Sequence, residues 1–235
     1  MPNNLHIISR YNEDLNWIKQ LKGSFVIYNK GDNFPYNFPF KQIENIGRET
    51  ETFVRAIIEN YDFLNEYENI IFLQGNPIDH CKSILNVLNS DNYENLYSGL
   101  TNEKFFYLTD DLILYHYPSD RQINGIHHSI LARFYQINYD WDFYLSNKDN
   151  RINHSKYIEN AMILCNILGI KCLGEFYYWA HGAQYIVPSK MILNKSIIWW
   201  KEFHKLIILT YKDFKLESLG YAAEAIWPLI WKHST

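Results

Sequence analysis

Three short apolar runs in this chain each end in a dense polar cluster, and those clusters hold the residues equipped for chemistry. Leu5 to Ser9 runs into Arg10-Tyr11-Asn12-Glu13-Asp14, Phe25 to Tyr28 into Asn29-Lys30-Gly31, and Ile70 to Leu73 into Gln74-Gly75 with Asp79-His80 behind. A fourth cluster, Asn45-Ile46-Gly47-Arg48-Glu49, lies between the second and third. Arg48 would grip a diphosphate with its bidentate fork and Lys30 would act as a point charge. The alternative for both is surface solvation or a salt bridge with Glu49 or Glu51. Asn12, Glu13 and Asp14 have a second reading as the cap of a following helix, where the dipole favours acids. Asp79 and His80 would give a divalent cation one oxygen and one nitrogen ligand, a pairing that suits manganese or another transition ion better than calcium. Their other reading is a helix that starts at Asp79 and runs through Ile84 and Leu88.

For these clusters to meet, the elements before them must end together. Leu15, Ile18 and Leu21 have helical spacing after the first run. A Pro- and Phe-rich loop reaches to about Phe40, and Phe53, Ile57 and Ile58 mark an amphipathic helix over Thr50 to Tyr61. The unbroken apolar run Ile70 to Leu73 predicts a strand buried on both faces. Strands alternating with helices imply an α/β fold with a mixed, mainly parallel sheet flanked by helices, and such sheets bind ligands at the carboxyl ends of their strands. All three post-strand clusters then fall at one sheet edge. Further on, Phe105 to Leu108 and Leu112 to His116 read as strands, Gly125 to Gln136 and Tyr157 to Leu168 as helices. Tyr177 to Val187 reads as a strand interrupted by His181-Gly182-Ala183-Gln184. Ile197 to Thr210 and Ser218 to Trp231 read as closing helices. At the strand break, His181 beside Gly182 suits close backbone approach to a ligand.

The 235 residues contain nothing resembling a linker, so one domain is expected over 1–235. The 19 tyrosines fit either sugar recognition or the composition of an AT-rich genome. A net charge of −4 without a basic block argues against a nucleic-acid partner. Cys81, Cys165 and Cys172 are odd in number and lack C-x-x-C spacing, which points to a reducing compartment and no zinc ribbon. No signal peptide is legible at Met1, and the apolar stretch Ser196 to Tyr211 is broken by Lys201, Glu202, His204 and Lys205. A cytoplasmic protein is expected, with any membrane contact peripheral. Walker, G-x-G-x-x-G, H-E-x-x-H and G-x-S-x-G motifs are all missing, which removes the main support for ATPase, Rossmann, zincin and hydrolase readings.

Taken in order, Arg10-Tyr11-Asn12-Glu13-Asp14, Tyr28-Asn29-Lys30-Gly31, Gly47-Arg48-Glu49 and Phe72-Leu73-Gln74-Gly75, with Ala183-Gln184-Tyr185 and Glu224-Ala-Ile-Trp227, are similar to an uncharacterised domain family. Its order of elements resembles the A-fold nucleotide-sugar glycosyltransferases. The resemblance implies a sugar transfer from a UDP- or GDP-linked donor to a saccharide or glycoconjugate acceptor, with residues 1–90 as the nucleotide half and 91–235 as the acceptor half. Arg10 to Asp14, Asn29, Lys30, Arg48, Gln74, Gly75 and Gln184 would hold the donor. Those transferases carry Asp-x-Asp after a central strand to bind a manganese or magnesium ion, whereas this chain has Gln74-Gly75 there. Asp79 and His80 are the substitute ligands, and a literal Asp-x-Asp stands at Asp140-Trp141-Asp142. Glu224 is the first choice of general base, since apolar neighbours would raise its pKa and Pro228 would kink or break its helix. Glu175 and His181 are further catalytic candidates, and Glu224 could instead pair structurally with a cation. The rivals are another phosphoryl or nucleotidyl transferase and a non-catalytic carbohydrate-binding module.

Overall fold

The computed structural model describes residues 3–90, 93, 97–98, 105–109, 112–116, 161, 164–171, 176–180, 182–214 and 218–232. A mixed sheet of seven strands, flanked by helices, organises them. Strand β1 (Asn4–Arg10) pairs in parallel with β2 (Ser24–Asn29) on one side and β4 (Asn69–Gln74) on the other, and β2 pairs in parallel with the short edge strand β3 (Phe40–Gln42). Beyond β4 the direction reverses at β9 (Tyr185–Pro188), which is antiparallel to both β4 and β6 (Phe106–Tyr107). β5 (Tyr97–Ser98) closes that side against β6. β7 (Leu112–His116) and β8 (Phe176–Ala180) form a separate antiparallel pair.

The strands alternate their side chains between two apolar cores, which is why β4 reads as an unbroken apolar run and β1 as an apolar run interrupted by His6. Leu5, Ile7, Ile70 and Phe72 enter the core that they share with the helices α1 (Arg48–Asn60), α4 (Ile197–Phe214) and α5 (Ser218–Lys232). Ile8, Ile71 and Leu73 enter the other, with Leu15, Trp17, Ile18 and the helix α2 (Ile84–Ser90). In the first core Phe72, Trp227 and Trp231 form a stack, with Trp227 and Trp231 4.8 Å apart; flat aromatic contacts add to area burial.

Two local expectations are corrected. The segment after β1 is a 3-10 turn at Asn16–Gln20 rather than an α-helix, because the chain must turn at Gly23 (φ 98°) to enter β2. The break in the Tyr177 to Val187 run separates strands of two different sheets. The helix α3 (Ser189–Leu193), to which the sequence pattern assigns no element, follows β9 directly. The closing helix expected over Ser218 to Trp231 is found as α5, which is not broken at Pro228 and runs to Lys232. Cys81 and Cys165 are buried and in no disulfide. No helix among the described residues is long and apolar enough to cross a membrane.

Candidate functional site: a polar cleft where the strand order reverses

The chain runs outward from β1 through β2 to β3, then returns to place β4 on the other side of β1. Neighbouring loops leave a parallel sheet in opposite directions at such a point, which opens a crevice outside the carboxyl ends of the strands. A cleft of about 300 Å³ lies there, lined by residues of all four polar clusters. Ser9, Arg10, Tyr11 and Glu13 come from the end of β1, Lys30 from β2 and Gln74 from β4. Asn45, Arg48 and Glu49 come from the start of α1 and the turn before it.

Glycine makes this convergence possible. A Cβ on Gly31 would stand 1.7 Å from the Tyr11 carbonyl oxygen, and one on Gly75 would stand 2.4 Å from Glu13 Oε2. The β1 loop therefore lies directly on the turns that follow β2 and β4. Arg10 pins it from below: Nε donates to the Glu13 carbonyl, Nη1 to Asn29 Oδ1 and to the Tyr11 and Asn33 carbonyls. Its guanidinium also sits 5.5 Å from the Phe34 ring centre. Asn29, fully buried, spends its amide on Gly31 and Gln42. Arg10 lines the cleft, whereas Asn29 is not among the lining residues and supports Arg10 through its Oδ1. Glu13 Oε2 accepts the Tyr11 N–H at 2.7 Å, which ties down the Tyr11 backbone, and the residue is 49% exposed.

The cations take the salt-bridge alternative. The buried Lys30 ammonium donates to the Ile46 and Arg48 carbonyls and stands 3.1 Å from Glu51 Oε2. Burial pushes the Lys30 pKa down, against the pull of Glu51. For Glu51, burial alone would raise the carboxyl pKa, but His204 (2.9 Å), Lys30 and Arg55 outweigh it and hold the value at about 2. Arg48 Nε lies 3.5 Å from Glu49 Oε2, with the arginine side chain 43% exposed. Glu49 Oε1 accepts from Gln74 Nε2 at 3.0 Å. Ser9, Asn45 and Glu49 also line the cleft; none is among the expected ligand-binding residues, although each lies within or directly beside a polar cluster, which is the signal that could have found them.

Other expected residues stand apart from the cleft. Asp14 precedes the N-cap Leu15, which has no side-chain cap bond, and it accepts the Asn16 N–H at 2.9 Å and the Tyr36 hydroxyl at 2.8 Å; the first of these bonds is the main cause of its lowered pKa. Asn12 is exposed and its Oδ1 lies against Gly31. Gln184 is buried and joins the Gln74 N–H to the Pro77 and Leu108 carbonyls. Asp79 ends a 3-10 turn, and His80 packs on Gly182, where a Cβ would meet its ring at 2.6 Å. Among the described residues no group of three or more His, Cys, Asp or Glu gathers as a metal set. Asp79 and His80 thus have no third such side chain gathered with them among the described residues, and water or the phosphates of a substrate would have to complete a metal site there. Glu224 is buried and its Oε1 accepts the Gly182 N–H at 2.7 Å, anchoring the turn before β9. Glu175, His181 and Asp140 to Asp142 lie outside the described residues.

No protein-family model, curated protein or solved structure matches the chain.

Proposed function

We propose that this chain is a glycosyltransferase of the A-fold kind that takes its sugar from a nucleotide-linked donor and binds the donor's nucleoside diphosphate in the cleft. The position of the cleft carries the reading: it sits on the carboxyl ends of β1, β2 and β4, where the strand order reverses, and such crevices bind nucleotides in open α/β sheets. The lining suits the parts of that ligand. The half-exposed Tyr11 offers its ring to a base, while Glu13, Glu49, Asn45, Gln74 and Ser9 offer partners for hydroxyl groups. Arg48 and the opening turn of α1 face the diphosphate, which helix N-termini favour. A volume of about 300 Å³ is at the small end for ligand sites, enough for the nucleoside end of the donor.

One observation favours a second reading. Arg10 and Lys30 are matched to protein acceptors, so the charge open to a ligand is modest and a neutral saccharide also suits the lining. Calorimetric titration with UDP, GDP and a free hexose separates the two. The transferase reading expects saturable binding of one nucleotide, and binding of hexose alone replaces it with a carbohydrate-binding module.

In an inverting transfer a carboxylate removes the acceptor hydroxyl proton. Glu224 keeps that role only if Glu224→Gln loses turnover by roughly 100-fold with donor binding intact. Retained turnover makes it solely the anchor of the Gly182 turn.

A further inference from the structure

The turn that leads into α1 contains two consecutive left-handed residues, Gly47 (φ 59°) and Arg48 (φ 52°). Glycine adopts this conformation freely, but an arginine pays about 1–2 kcal/mol for it. The strain falls on the residue whose guanidinium borders the cleft, and residues held this way cluster at ligand clamps.

What holds it is visible. The carbonyls of Ile46 and Arg48 bracket the left-handed pair, and both accept from the Lys30 ammonium. The remaining side of that ammonium faces Glu51. Glu51 lies one turn into α1 and is fixed by Arg55 at 2.6 Å and by His204 of α4 at 2.9 Å. Its own N–H closes back on the Gly47 carbonyl at 3.1 Å. Gly47 is wedged as well, since a Cβ there would meet Ile207 of α4 at 2.6 Å. A buried ion pair is a poor source of net stability, because desolvation offsets most of the attraction, so what it fixes in place is the better account of its presence.

We propose that Lys30 and Glu51 are positioning residues: through their buried pair they hold Gly47 and Arg48 in the left-handed backbone that presents Arg48 to the cleft. The consequence for ligand affinity rests on the nucleoside-diphosphate reading. The positioning itself does not, and the two can fail separately.

The test is the double variant Lys30→Met/Glu51→Gln. It removes both charges together, and the glutamine still offers Arg55 and His204 an acceptor. We expect a folded protein whose amides at 47–52 exchange hydrogen at least about tenfold faster than in the parent, and whose affinity for UDP or GDP falls by at least about tenfold. Lys30→Met alone, in which Glu51 keeps Arg55 and His204, is the second variant, and the same changes are expected. Unchanged exchange at 47–52 in either folded variant overturns the proposal. So does parental nucleotide affinity in a variant whose loop has loosened, because Arg48 then needs no positioning. If the parent binds neither nucleotide, the functional reading falls and the exchange rates alone decide the positioning.

Discussion

On the nucleotide-donor reading Arg48 is the first cation to test, since it lines the cleft and its side chain is 43% exposed beside Glu49. Replacing it with alanine removes one charge-assisted hydrogen bond and should weaken nucleoside-diphosphate affinity by roughly 1.5–3 kcal/mol, read by calorimetry. An unchanged dissociation constant in a folded variant takes Arg48 out of the site. Gly31 is the complementary case, since its side of the cleft has no space: any Cβ would collide with the Tyr11 carbonyl oxygen. Gly31→Ala should cost about 1–3 kcal/mol of stability, within the range for overpacking, and a melting point equal to the parent's would show that the β1 loop is free to move aside. Such roles were only half legible in the sequence. The glycines in Asn-Lys-Gly and Gln-Gly are visible there as turn residues, but which loop they admit depends on strand order. Lys30 shows the same limit. The sequence offers both a phosphate contact and a pairing with Glu51, and only the packing of α1 against β2 selects the second.

At the scale of elements, the Lys30, Glu51, Arg55 and His204 network joins the end of β2 to α1 and α4. Its acid sensitivity follows from Glu51. That carboxyl is held at about 2, below its ordinary 4.5, so its contribution is fully present above pH 4.5 and is lost as pH falls through 4.5 towards 2. The shift corresponds to about 3 kcal/mol. Denaturant titrations across this range should show the loss in the parent and a much flatter profile in Glu51→Gln, which starts lower at neutral pH by about 3–5 kcal/mol because Lys30 is left buried and unpaired. Equal acid profiles for the two proteins would show that other groups carry the pH dependence. Elements with a strong local pattern were legible: the central strands β1, β2 and β4, and the helices α1, α4 and α5, lie within a few residues of where periodicity puts them. The weak ones were not. Phe40–Gln42 has three exposed residues after a proline, which gives neither alternation nor an apolar run, and β2 alone makes it a strand.

For the whole molecule, the alternation of strands and helices sufficed to predict an α/β sheet with its polar clusters at one end, and the structure joins those clusters in one cleft. The sequence pattern marked the β9 residues Tyr185 to Val187 as strand but was silent on their antiparallel entry beside β4, which is a long-range pairing with no local signature. Glu224 shows the consequence. Its apolar neighbours correctly indicated burial, yet its carboxylate meets the Gly182 N–H because β9 brings that turn to α5. The central claim is that the crevice between β1 and β4 is a nucleoside-diphosphate site, and hydrogen exchange with and without saturating UDP or GDP tests it at the place where it is made. The account predicts slowed exchange in residues 9–13 and 45–52, with little change in α2 or along β9; no protection with either nucleotide, or protection confined to other segments, would contradict it.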